Sequence, residues 1–236
     1  MRFRWVFFDA GETLVHPAPS FPELFATIVT REGFPRDAAD VQRGAGIVSE
    51  AFGRAADRHT LWTTTPEGSQ RFWNDVYGSF LEVLEIPDGD GLPATLYREF
   101  TDLGNYAAFD DIAEVLAELR ARGILLGLIS NFEPWLDDLL ERLGLRDVFD
   151  VRVISGNEGI EKPDPAIFRL ALERAGLAAE EAAHVGDMPA LDVDPSAAVG
   201  MFPVLIDRRA RHTDFEGPGA RIASMTELLD VLEASS

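Results

Sequence analysis

The sequence predicts an α/β protein, a parallel sheet with helices on both faces, whose first strand is followed by an all-helical insertion. Three observations carry this. The chain opens on a dense apolar run, Phe3 to Phe8, that stops at Asp9-Ala10-Gly11, as a buried strand entering a tight turn does. Over residues 16–105 apolar residues recur at helical spacing with no strand pattern. From there on, short apolar runs alternate with helical stretches across short loops, which describes a sheet covered on both faces. With 236 residues, 46% of them hydrophobic, the chain can build one large domain or a domain with an insertion. The expected division is a core of residues 1–15 and 106–236 and a helical cap of residues 16–105.

In order, Pro17, Pro19 and Pro22 punctuate the entry to the insertion, and Phe21, Leu24, Phe25, Ile28 and Val29 mark its first helix. Further helices are predicted over 36–57, 66–84 and 93–103, separated by loops that contain Thr63-Thr64-Thr65-Pro66 and Pro87-Asp88-Gly89-Asp90-Gly91. Asp110 and Asp111 are placed to cap a helix with Ile112, Val115, Leu116 and Leu119 on one face, ended at Gly123. Strands follow at 124–129, 148–154, 182–185 and 201–206, with helices at 134–143, 165–175, 189–199 and 225–232. In the insertion, Trp62, Phe72, Trp73 and Tyr77 are expected to fill its core.

Composition narrows the function. No cysteine is present, which excludes disulfides, thiolate zinc sites and a cysteine nucleophile, and fits a reducing, cytoplasmic location. The N-terminal run is too short for a signal peptide and is interrupted by Asp9 and Glu12. No long uninterrupted apolar segment predicts a membrane span. A formal charge of −20 repels nucleic acid and anionic membranes, and the arginines read as dispersed rather than as a basic patch. The partner expected is a small anionic substrate held by a few focused donors; monomer and homodimer are equally compatible. Lys162 is the only lysine in the chain, which makes it conspicuous.

In a doubly wound sheet, ligands bind beyond the carboxyl ends of the strands. Asp9, then Ser130-Asn131, then Gly186-Asp187 follow three predicted strands, with Asp192 five positions on and Lys162 in the loop after a fourth. Singly, an aspartate after a strand is a turn or cap residue and Ser-Asn an N-cap. Together they offer what phosphoryl transfer needs. A carboxylate on a sharp turn can act as nucleophile and metal ligand. Asp9, Asp187 and the Gly11 carbonyl suit Mg²⁺, and Ser130, Asn131 and Lys162 suit phosphoryl oxygens. Lys162 would also keep the neighbouring carboxylates ionised.

These residues resemble four ordered motifs of the haloacid dehalogenase superfamily. They are Val6-Phe7-Phe8-Asp9-Ala10-Gly11-Glu12-Thr13-Leu14, Leu128-Ile129-Ser130-Asn131, Lys162-Pro163-Asp164-Pro165-Ala166-Ile167-Phe168, and Gly186-Asp187 with Asp192. The resemblance is to the subgroup with a helical cap inserted after the first motif, and to the haloacid-dehalogenase-like hydrolase domain-containing proteins within it. It implies a Rossmann-like core with a cap, an Asp9 nucleophile passing through an aspartyl phosphate, Mg²⁺ on Asp9, Gly11 and Asp187, and phosphate held by Ser130, Asn131 and Lys162. Asp192 would orient Lys162 or a metal-bound water.

One departure from the pattern matters. Phosphatases of the family carry a second aspartate two positions after the nucleophile, where this chain has Gly11. Loss of such an acid/base costs about 10²–10⁴-fold in rate. Glu12 and His16 are the nearest substitutes in sequence. Two other readings stay open, a metal-independent 2-haloacid dehalogenase and a catalytically weak binding module. Retention of Gly186-Asp187 argues against the first, and retention of the whole constellation against the second. A cap-lysine Schiff-base mechanism is excluded, because residues 16–105 contain no lysine. Within the cap, Thr63, Thr64, Thr65, Gln70, Arg71 and Trp73 cluster near a helix start, and Arg71 is the residue expected to read a second anionic group.

Overall fold

The computed structural model describes residues 2–57, 61–87 and 91–235. Two compact units divide the chain, residues 1–15 with 108–236, and residues 16–107. Strand β1 (Trp5–Phe8) opens the first, and β2 (Val15–Pro17) leads into the second. There follow α1 (Phe21–Arg31), α2 (Ala38–Gln42), α3 (Ile47–Asp57), α4 (Pro66–Val83) and α5 (Leu92–Phe100). The return strand β3 (Tyr106–Ala108) pairs with β2 in a two-stranded sheet. The chain continues through α6 (Ile112–Ala121), β4 (Leu125–Ser130), α7 (Leu136–Arg142), β5 (Val151–Ile154), α8 (Ser155–Glu158) and α9 (Pro165–Ala175). Last come β6 (Ala182–Gly186), α10 (Asp194–Ala198), β7 (Phe202–Ile206), β8 (Ala220–Ile222) and α11 (Leu228–Ala234).

The large sheet has the order β5-β4-β1-β6-β7-β8 and every pairing is parallel. The chain builds outward from β1 through β4 to β5, then crosses back to lay β6 on the other side of β1. That reversal opens a crevice at the carboxyl ends of the central strands. Phe8 stands opposite Leu128 on one side and Val185 on the other, so β1, β4 and β6 end nearly level. Trp5 and Phe7, two apart and therefore on one face, pack with Ile129, Val153 and with Ile167 and Phe168 of α9. Asp164 caps α9, accepting the Ala166 N–H at 2.8 Å ahead of Pro165, and Gly176 ends it at φ 66°.

The second unit has its own core. Phe25, Ile28 and Val29 of α1 meet Val76, Tyr77, Phe80 and Leu81 of α4 and Leu96 and Phe100 of α5. Thr65 caps α4 by accepting the Gly68 N–H at 3.1 Å, with Pro66 in the first turn, where no N–H is missed. The expected aromatic filling is present: Trp62 stacks on Phe72 at 4.4 Å, Trp73 stacks on Tyr77 at 5.7 Å, and Phe52 joins them.

Several elements differ from expectation for local reasons. The helix expected over 36–57 is broken between Gln42 and Ile47, where Gly44 and Gly46 each weaken a helix interior by about 1 kcal/mol. The strand expected from 148 begins at Val151, because Asp150 turns its carboxylate to the Leu126 N–H at 3.0 Å. Asp111 precedes α6 without a side-chain cap; it instead accepts from Arg208 at 2.8 and 2.9 Å, from the Ser224 hydroxyl at 2.9 Å and from the Met225 N–H at 2.9 Å. β2, β3 and β8 were not expected from the sequence; each is three residues long, too short to show a periodicity. Residues 88–90 of the predicted Pro87–Gly91 loop lie outside the described residues. No described helix is long and apolar enough to cross a membrane.

Candidate active site

Four side chains from different elements converge at the carboxyl edge of the core sheet. Asp9 follows β1, and its N–H is fixed by the Val185 carbonyl at 2.8 Å. Its Oδ1 accepts from the Ser130 hydroxyl at 3.0 Å and from Lys162 Nζ at 2.7 Å. Lys162 Nζ also donates to Asp192 Oδ1 at 2.6 Å. Asp9, Ser130, Lys162 and Asp192 are all buried. Among the described residues the other Asp9 oxygen accepts no hydrogen bond.

The sharp turn after β1 is held by Leu14 and Val15 N–H groups on the Ala10 carbonyl, at 2.8 and 3.0 Å, and by the Glu12 N–H on the Val15 carbonyl at 2.8 Å. It drives Glu12 to φ 56°, a left-handed conformation that costs a non-glycine residue about 1–2 kcal/mol. Asp192 is delivered by a wide π turn, Pro189–Val193, and accepts the Met188 N–H at 3.1 Å. A Cβ on Gly186 would lie 2.1 Å from the Asp192 carboxyl carbon, so only glycine lets this carboxylate cross β6 to Lys162.

Charge is unevenly balanced here. Burial pulls the Lys162 amine down, but the carboxylates of Asp192 and Asp9 more than reverse this and hold it charged. Burial pushes Asp192 up, and Lys162 with the His184 hydrogen bond overcomes that, leaving it well below the usual carboxylate range. Asp9 ends raised, because burial outweighs the attraction of Lys162. Asp187 is raised strongly, by burial and by the negative charges of Asp9, Asp192 and Glu12. The ammonium therefore lowers Asp192 but leaves Asp9 and Asp187 raised, whereas the sequence led us to expect it to favour the charged form of all the neighbouring carboxylates.

Asp187, just past β6, accepts no hydrogen bond from a described residue. A carboxylate raised by like charges and without donors calls for a cation. No three His, Asp or Glu side chains among the described residues gather into a metal cage. The expected set of two carboxylates and the Gly11 carbonyl still fits Mg²⁺, which takes one or two carboxylates and keeps several waters.

The remaining predicted residues fall as follows. Asn131 does not offer its side chain to a ligand. Its Nδ2 donates to the Lys162 carbonyl at 2.8 Å and its Oδ1 accepts the Lys162 N–H at 2.6 Å, so the amide clamps the lysine's backbone. Glu12 is ion-paired with Arg209 at 2.6 Å. His16 and Arg71 belong to the second unit. His16 Nδ1 lies 2.8 Å from the Pro17 carbonyl and so carries the proton there, and Arg71 is exposed on α4. Thr63 is buried and Thr65 is spent as a helix cap.

His184 was missed by sequence reasoning. It is fully buried in β6, with Nε2 3.0 Å from Asp192 Oδ1 and its ring edge-on to Phe168 at 5.2 Å. Burial lowers its pKa, so the neutral ring donates to Asp192, and Nδ1 has no hydrogen-bond partner among the described residues. The signal available was its position, two residues before Gly186 in an otherwise apolar strand. Arg208 and Arg209 are adjacent after β7, not dispersed, yet each is tied to a carboxylate, so the loop presents no basic field through them.

The fold and this edge are those of an α/β hydrolytic enzyme family. The chain belongs to the haloacid dehalogenase-like hydrolases, whose family pattern matches residues 3–200. It is 35% identical over 178 residues to haloacid dehalogenase-like hydrolase domain-containing protein 3 of Mus musculus, covering 71% of each chain. It is 40% identical over 153 residues to the phosphoserine phosphatase of Thermus thermophilus, covering 63% of this chain and 61% of that one. Among solved structures, the HAD-hydrolase YfnB of Bacillus subtilis, bound to magnesium, superposes with a TM-score of 0.77 at 19% identity, over 98% of this chain and 99% of that one.

Proposed function

We propose that this hydrolase is a Mg²⁺-dependent phosphatase of small phosphate esters, working through an aspartyl phosphate on Asp9. The observation that carries the reading is the Ser130–Asp9–Lys162–Asp192 network beside the Asp187 carboxyl, to which no described residue donates. Ser130 and Lys162 hold one Asp9 oxygen, which leaves the other to attack phosphorus. The same hydroxyl and ammonium can turn to the equatorial phosphoryl oxygens as charge builds on them. Asp192 and the Asn131 clamp fix the Lys162 head and backbone during that exchange. Asp9, Asp187 and the Gly11 carbonyl would hold Mg²⁺, which supplies positive charge against the transferred phosphoryl group. The likeness to a phosphoserine phosphatase supports phosphoryl transfer as the chemistry. A cytoplasmic location is part of this proposal, and the cysteine-free composition fits it.

The dehalogenase alternative needs no metal, and the gathering of negative charge around the Asp187 carboxyl disfavours it. The test is release of p-nitrophenol from p-nitrophenyl phosphate and of chloride from 2-chloropropionate, each with and without Mg²⁺. Mg²⁺-dependent phosphate hydrolysis lost in Asp9→Asn supports the proposal. Metal-independent chloride release would replace it with the dehalogenase, and inactivity on both would leave a binding module.

A further inference from the structure

We infer that the phosphatase acts on phosphates whose leaving oxygen departs as a stable anion, acyl and aryl phosphates, and not on simple alkyl esters. The inference rests on the phosphatase reading and adds the substrate class. Its basis is the chemistry that surrounds Asp9 within the core unit. At position 11 the backbone does not require glycine, since φ lies outside the left-handed region and a Cβ there would meet only the Phe132 ring, at 3.9 Å. A Cβ has room in this place, in ordinary contact with the Phe132 ring.

The nearest candidates for the acid role are engaged. Glu12 is turned away at φ 56° into its ion pair with Arg209. The Ser130 hydroxyl donates to Asp9, and Lys162 spans Asp9 and Asp192. The Asn131 amide is closed on the Lys162 backbone. Among these groups none is placed to protonate a departing oxygen, and the one further carboxyl beside Asp9, that of Asp187, is the metal ligand on the phosphatase reading.

The step then runs as follows. An Asp9 oxygen forms a bond to phosphorus as the bond from phosphorus to the leaving oxygen breaks, and that oxygen keeps the electron pair and departs as an anion. Water next attacks phosphorus, the bond to Asp9 breaks and restores the carboxylate, and the water's proton passes to solvent. The first half is easy for a carboxylate, whose conjugate acid has a pKa near ~4, and feasible for a phenolate, near ~10. An alkoxide is far more basic and needs the acid that Gly11 lacks.

The test measures kcat/KM, which reports the first bond cleavage, for the full chain with millimolar Mg²⁺. Acetyl phosphate, a graded series of substituted phenyl phosphates, and ethyl phosphate serve as probes. We expect kcat/KM to fall steeply with leaving-group basicity, by at least about 10²-fold from p-nitrophenyl to ethyl phosphate. In Gly11→Asp the ratio of ethyl to acetyl phosphate turnover should rise about 10²-fold. A flat profile in the wild type would overturn the inference, and its collapse in His16→Gln would name the acid responsible. An unchanged ratio in Gly11→Asp would overturn it as well. Failure of the phosphatase reading itself looks different: no Asp9-dependent turnover of any probe, acetyl phosphate included.

Discussion

The two flanks of Asp9 are electrostatic opposites. Toward Lys162, Ser130 and Asp192, the contacts form a closed chain: ammonium between two carboxylates, hydroxyl on one, imidazole on the other, at 2.6 to 3.0 Å. Toward Asp187, there are negative charges and no donor from a described residue. The first flank is balanced by its own side chains, and the second, on the proposed reading, is balanced by a bound cation. The difference teaches where the protein is rigid and where it is built to bind. A buried ion network loses heavily if one member is removed, whereas an uncompensated carboxylate is a standing cost that its removal relieves.

Breaking the closed flank should therefore have the largest effect. Lys162→Met leaves Asp9 and Asp192 buried without their cation, which destabilises by about 3–5 kcal/mol. Urea denaturation should show this as a lower midpoint with unchanged slope, and phosphatase turnover should fall at least about 10²-fold. A wild-type midpoint in Lys162→Met would mean the network is not the strut the geometry describes.

A smaller effect is expected one link further out. His184→Leu removes the donor to Asp192 and leaves that oxygen short of a partner, at about 1–3 kcal/mol. Lys162 keeps its charge but loses its fixed orientation, so kcat should fall about 10-fold to 100-fold with KM little changed, as for other outer partners of a site. His184→Gln carries an N–H of similar reach and should recover most of the kcat loss. Equal kcat losses in the Leu and Gln variants would reduce His184 to packing.

How much of this was legible beforehand follows the same contrast. The core layout and the Asp9, Ser130 and Asp187 positions could be read because each sits at or next to the end of an apolar run, a local signal, and Lys162 because it is the only lysine. The Asn131 clamp and the His184 hydrogen bond could not, since each depends on a partner 31 or 8 positions away and on which way a polar side chain turns. Asp111 misled for the same reason. An aspartate before a helix reads as a cap, but Arg208, 97 positions on, competes for it with a charged bidentate contact. The break at Gly44 and Gly46 was visible as composition, and the apolar periodicity on either side of it outweighed two glycines in the reading.

The open flank gives the subtlest prediction, and its sign can be worked out. Asp187 has a folded pKa raised above its unfolded value of 3.8. Between those two values the folded state binds more protons than the unfolded chain, so stability falls as pH rises through the window. Metal-free protein should therefore melt at a lower temperature at neutral pH than at mildly acidic pH, as far as this group decides it. Asp187→Asn should remove that slope and raise the metal-free melting temperature at neutral pH, while saturating Mg²⁺ should raise it in the wild type and not in the variant. The measurement is a grid of thermal melts across pH with EDTA or Mg²⁺. A wild type insensitive to Mg²⁺, with Asp187→Asn no more stable than it, would show that Asp187 has a partner within the protein and that the two flanks are alike.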